Sequence, residues 1–153
     1  MRKANILIVD DDENIRRTLR LILESEGYDV DEAASGKEAV EKSKKKIYNL
    51  ALLDIVLPDM QGTQLLKELG ETTPKMVKIM ITGYPNLENA VESLNYGADA
   101  YLIKPVNFEK LISVVEKKLE KQRMEEVLTI EKIAAFVEAR TKKLLQESGQ
   151  SSR

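Results

Sequence analysis

Three aspartates in a row, Asp10, Asp11 and Asp12, follow the apolar run Ile6–Val9. Asp54 closes a second apolar run, "LALLD", Thr82 stands at the end of a third in "IMITGY", and Lys104 at the end of a fourth in "AYLIKPV". Adjacent carboxylates repel, so such a cluster is tolerable where a cation sits among the acids. Several carboxylates around a small site suit a hard divalent ion, and a site of one or two carboxylates that keeps several waters suits Mg²⁺. An aspartate such as Asp54 can attack phosphorus and become an acyl phosphate. The metal and Lys104 would neutralise the phosphoryl oxygens, and the Thr82 hydroxyl would donate to one of them. The chain has no histidine and no cysteine. A Ser-His-Asp triad, a His- or thiolate-based zinc site and a phosphohistidine on this chain are therefore excluded. Chemistry must run on carboxylates, hydroxyls, lysine and a borrowed metal.

These residues need elements that bring them together. The strand candidates are β1 (Asn5–Val9), β2 (Tyr28–Ala33), β3 (Leu50–Leu53), β4 (Val77–Ile81) and β5 (Ala100–Ile103). Helical spacing fills the gaps: Ile15, Leu19, Ile22 and Leu23 mark the first helix, which Gly27 stops. Ser35 and Glu38 read as a capping box over Gly36–Lys45, and Asn86 and Asn107 as caps of the fourth and fifth helices. Gly62 and Gly70 bracket the third, and Gly97 ends the fourth. Regular βα alternation predicts an α/β fold, a doubly wound five-stranded parallel sheet with helices on both faces. Such sheets bind ligands outside the carboxyl ends of their strands, where strand order reverses. With order 2-1-3-4-5, Asp10, Asp11, Asp54, Thr82 and Lys104 converge on one crevice.

At "VDDD", "LLDIVLPDMQG", "ITGY" and "YLIKP" the chain resembles the receiver domains of two-component response regulators. The resemblance covers about residues 3–118. It implies the flavodoxin-like strand order 2-1-3-4-5, with Asp54 as phosphoryl acceptor from a sensor histidine kinase. It implies Asp11 as a direct Mg²⁺ ligand, Asp10 as a ligand through water, Asp54 itself in the metal site, and the Val56 carbonyl completing the set. Thr82 and Lys104 would bind the phosphoryl group, Lys104-Pro105 would be a cis peptide, and Tyr101 would change rotamer with Thr82. Switching would then involve the face formed by the fourth helix, β5 and the fifth helix.

Plainer readings stand beside these. Asp12 reads as a turn residue or helix cap, and Asp59 beside Pro58 as a turn residue. For Tyr101, core packing and switching are both open. The Ser-x-x-Lys spacing at "SKKKI" and the basic run "KSKKK" read as a solvated helix end. A Mg²⁺-dependent aspartyl-phosphate phosphatase of the haloacid-dehalogenase type is the alternative function. That family places an acid two residues after its nucleophile, where this chain has Val56. A scaffold module with vestigial acids is disfavoured by the complete acidic set.

After Pro105 neither proline nor glycine occurs until Gly149, so residues 107–148 can form one helix of roughly 63 Å. Residues 119–148 are expected to be a helical extension or linker, and 149–153 a disordered tail. Val127, Ile130, Ala134, Val137, Thr141 and Leu144 follow the a/d spacing of a coiled coil, which points to a homodimer through this helix or through the switching face. The 35 residues from Leu119 carry seven basic and six acidic side chains, so no basic surface for nucleic acid is expected. A net charge of -2, no cysteine and no long apolar run lead to the expectation of a cytoplasmic chain without direct membrane contact.

Overall fold

The computed structural model describes residues 4–70 and 75–151. The elements are β1 (Asn5–Val9), α1 (Glu13–Ser25), β2 (Asp29–Ala33), α2 (Gly36–Lys45), β3 (Leu50–Asp54), α3 (Gly62–Leu69), β4 (Val77–Thr82), α4 (Leu87–Asn95), β5 (Ala100–Ile103) and α5 (Phe108–Ser151). The strands form one parallel sheet in the order β2-β1-β3-β4-β5, so the order reverses between β1 and β3. Strands β3 and β4 run one residue beyond the predicted ends. Asp54 and Thr82 are thus the last ladder residues, paired with Ile81 and Ile103.

Alternation along the strands divides the core into two layers. Ile6, Ile8, Leu50, Leu52 and Ile79 pack on one face with Leu19 and Leu23 of α1 and Leu111 and Val115 of α5. Leu7, Val9, Ala51, Leu53 and Met80 pack on the other with Ala39 of α2 and Leu65 and Leu66 of α3. Every β3 residue is buried, as a central strand covered on both sides must be.

Local chemistry fixes the helix starts. The Asp12 carboxylate accepts from the N–H groups of Asn14 and Ile15, so it is the N-cap of α1. Ser35 Oγ accepts from Glu38 N–H, and the Glu38 carboxylate returns to accept from Ala34 N–H at 2.9 Å. The capping box therefore closes one residue earlier than its usual form, on Ala34. That bond holds the Glu38 carboxyl below its ordinary range. Asn86 and Asn107 cap α4 and α5 through Asn89 N–H and Lys110 N–H.

The chain divides after Leu119 into two units. The first contains the sheet and the opening turns of α5, whose Leu111, Val115 and Leu119 are buried. The second is helical and exposes Val127, Ile130, Ile133, Phe136, Val137 and Leu144. Its helix extends through 149–151, part of the expected disordered tail; Gly149 carries no positive φ and the helix passes through it. Ser152 and Arg153 lie outside the described residues. Among the described residues no helix is long and apolar enough to cross a membrane.

Candidate functional site

The carboxyl ends of β1, β3, β4 and β5 bring the predicted residues together. Asp10, Asp11 and Asp54 each offer a carboxylate oxygen within 4.8 Å of the others. Asp10 and Asp54 are 4% and 7% exposed, whereas Asp11 is open to solvent. The Lys104 ammonium donates to Asp10 Oδ2 at 2.7 Å and to Asp54 Oδ2 at 2.9 Å. The second oxygens are held by backbone: Asp12 N–H donates to Asp10 Oδ1 and Val56 N–H to Asp54 Oδ1. The two acids are thus oriented before any ligand arrives.

The electrostatics follow from that geometry. Burial pushes the Asp54 carboxyl above its ordinary value and the Asp10 charge adds to this, while the bonds from Lys104 and Val56 pull the other way. Burial works against the Lys104 charge, but the bonds to Asp10 and Asp54 outweigh it and hold the ammonium above its usual range. One ammonium among three acids leaves the cluster net negative.

Thr82 is fully buried, and its Oγ1 accepts from Tyr84 N–H at 3.0 Å. Accepting leaves the hydroxyl proton available for donation. Tyr101 is half-buried against the second core layer and donates its hydroxyl to Asn89 Oδ1. The Val56 side chain is 42% exposed and Tyr84 74%. The Lys104-Pro105 peptide is cis.

The response regulator receiver domain family matches residues 6–116. The chain belongs to that family. Over 132 residues it is 37% identical to the response regulator ArlR of Staphylococcus saprophyticus, covering 85% of this chain and 59% of that protein. Over 115 residues it is 38% identical to the transcriptional regulatory protein ZraR of Escherichia coli O157:H7, covering 75% of this chain and 26% of that protein. The receiver therefore spans only part of the length of these relatives. Among solved structures it is similar to a CheY-like receiver domain protein from Methanospirillum hungatei, at 51% identity and a TM-score of 0.77, over 80% of this chain and 98% of that one. The receiver thus belongs to two-component phosphorelay signalling.

Three residues at the site carry roles that their sequence context hides. Asp59, read as a turn residue, accepts from Gly36 N–H and Lys37 N–H at the start of α2. These bonds hold its carboxyl below its ordinary range. Gly62 lets α3 begin against β3: a Cβ there would lie 2.2 Å from the Asp54 carbonyl oxygen. Its place at the end of "LLDIVLPDMQG" is the one sequence signal for that approach. Asn89 joins Tyr101 to the Tyr84 carbonyl, to which its Nδ2 donates at 3.2 Å. No sequence pattern separates it from an ordinary helix residue.

Proposed function

We propose that this receiver accepts a phosphoryl group on Asp54 from a phosphohistidine of a sensor histidine kinase, and that the acyl phosphate is its signalling state. The supporting observation is the Lys104 ammonium seated between Asp10 and Asp54 at the end of a buried central strand. A carboxylate oxygen of Asp54 attacks phosphorus; the P–O bond forms as the P–N bond breaks, and that electron pair returns to the imidazole. Lys104, already beside the attacking carboxylate, offsets charge on the phosphoryl oxygens, and the Thr82 hydroxyl donates its free proton to one of them. The apolar surface of Ile15, Pro105, Val106 and Phe108 borders Lys104 and suits the docking of the donor protein. A cytoplasmic location goes with this reading. The direct test is Asp54→Asn, which should gain no phosphate from a small phosphodonor and Mg²⁺ where the parent gains one.

The acids offer only oxygen donors, with no nitrogen or sulfur among them, which fits a hard cation such as Mg²⁺. Asp10, Asp11, Asp54 and the Val56 carbonyl would hold it, and the bound ion would supply positive charge to the phosphoryl oxygens. Asp12 is committed to capping α1, whereas Asp11 is exposed within the cluster. In a Mg²⁺ titration, Asp11→Ala is expected to weaken binding by roughly tenfold or more, the scale of losing a metal-site group. Asp12→Ala should bind normally and lose about 1 kcal/mol of stability as a missing cap. Equal losses of Mg²⁺ affinity would place the ion elsewhere.

The acyl phosphate is expected to be long-lived. Val56, two residues after the acceptor, has no side-chain group to orient a hydrolytic water, and Tyr84, two residues after Thr82, is bulky and exposed. The Val56→Asn, Tyr84→Glu double variant should lose its phosphate several-fold faster, measured as decay of the phosphorylated mass. A double variant that keeps its phosphate longer than the parent refutes the assignment of both positions. The same Val56 stands where a haloacid-dehalogenase phosphatase has its leaving-group acid, so the site favours a stored phosphate over turnover.

A further inference from the structure

Three hydrogen bonds run end to end from Thr82 to Tyr101. Tyr84 N–H donates to Thr82 Oγ1 at 3.0 Å, Asn89 Nδ2 donates to the Tyr84 carbonyl at 3.2 Å, and the Tyr101 hydroxyl donates to Asn89 Oδ1. Among the described residues, the backbone N–H and C=O of Tyr84 have these two side chains as their partners. The segment 83–86 is exposed and lies between β4 and α4, so packing does little to fix it. A side chain added at Gly83 would meet nothing closer than 3.8 Å. The segment is therefore positioned chiefly by hydrogen bonds: at Tyr84, whose N–H donates to Thr82 Oγ1 and whose carbonyl accepts from Asn89 Nδ2, and at its end by the Asn86 cap.

Asn89 itself is anchored. It sits in the first turn of α4, its N–H donates to the Asn86 cap, and its carbonyl accepts from the buried Ser93 hydroxyl. Its amide carries both a donor and an acceptor, and both are used. We infer that Asn89 is the positioning residue that couples the hydrogen-bonding state of Thr82 to the orientation of Tyr101. When Thr82 Oγ1 turns towards a phosphoryl group on Asp54, the Tyr84 N–H loses its acceptor and the segment shifts. The Tyr84 carbonyl then leaves the Asn89 amide, the amide reorients, and the Tyr101 hydroxyl loses its partner. This relay rests on the reading of Asp54 as acceptor only for what starts it; the coupling of Thr82 to Tyr101 through Asn89 stands apart from that.

The decisive variant is Asn89→Asp. A carboxylate still accepts from the Tyr101 hydroxyl but cannot donate to the Tyr84 carbonyl, so it cuts one link and keeps the other. An acid in the first turn of a helix is favourable, so α4 should form normally. Tyrosine rings labelled with ¹³Cε give signals for the five tyrosines, and Tyr101→Phe identifies the one that matters. Without phosphate, Thr82→Val should shift the Tyr101 signal in the Asn89 chain and leave it unmoved in the Asn89→Asp chain. An equal shift in both chains, or none in either, overturns the relay. With Mg²⁺ and beryllofluoride as the acyl-phosphate mimic, the Val56 amide reports binding at Asp54 independently. A Val56 amide that does not move sinks the acceptor reading and leaves the phosphate-free arm to decide the relay. Where it does move, the Tyr101 signal should respond in the parent and stay fixed in Asn89→Asp; a response in both overturns the relay.

Discussion

Asp54→Asn should abolish phosphorylation while leaving the fold at least as stable as the parent. Incubated with a small phosphodonor and Mg²⁺, the parent is expected to gain one phosphate by mass spectrometry and the variant none, because an amide oxygen lacks the charge to attack phosphorus. The stability expectation comes from the direction of the Asp54 shift. Burial and the Asp10 charge raise its folded pKa above the unfolded value. Between those two values the folded state binds more protons, so stability falls as pH rises, and above the folded value the full cost is present. Replacing the charge removes that cost and leaves Lys104 paired with Asp10. The thermal midpoint of Asp54→Asn, measured at neutral pH with a chelator, should therefore rise. Lys104→Ala should behave in the opposite sense: Mg²⁺ still binds, phosphorylation is impaired, and stability falls because two buried acids lose their common cation. If Asp54→Asn still gains a stable acyl phosphate, the acceptor lies elsewhere. A lowered midpoint would show that the carboxylate supports the fold rather than straining it.

The corners of this site were legible because each is a polar residue ending an apolar run. A parallel sheet gathers such ends at one edge, so Asp10, Asp54, Thr82 and Lys104 needed only the strand order to be placed together. Caps were legible for a related reason. Asp12, Asn86 and Asn107 each act within three residues of themselves, on N–H groups the helix leaves unpaired. What was hidden depends on contacts between elements. Asp59 looks like a turn acid beside Pro58, yet its partners are Gly36 and Lys37, over twenty residues earlier. Asn89 reads as one more polar residue of α4, and only its packing beside β5 gives it Tyr101. The end of α5 was misplaced by taking Gly149 as a breaker; a glycine costs a helix about 1 kcal/mol relative to alanine, which lowers stability without forbidding helical backbone.

The largest effect expected outside the site concerns the second unit. We propose that Glu120 onward associates with a second copy of itself. Val127, Ile130, Val137 and Leu144 occupy a/d positions and are each about half exposed. Ile133 and Phe136 widen the stripe, and a helix with this much exposed apolar surface is marginal when alone in water. The six acidic and six basic side chains of residues 120–151 cancel, so neither an anionic membrane surface nor nucleic acid is selected by charge. A second copy offers the same stripe, the self-complementary arrangement that a twofold dimer requires. Ala134 and Thr141 fill two a positions with little apolar volume, and the stripe spans fewer than three heptads, so the association should be weak. Sedimentation of the full chain should show a concentration-dependent monomer–dimer equilibrium in the micromolar range. A chain ending at Leu119 retains the buried Leu111, Val115 and Leu119 and should stay folded and monomeric. Ile130→Lys with Val137→Lys in the full chain should reproduce the truncated behaviour without removing the helix, which circular dichroism checks. Full and truncated chains that both remain monomeric at high micromolar concentration exclude self-association through this helix.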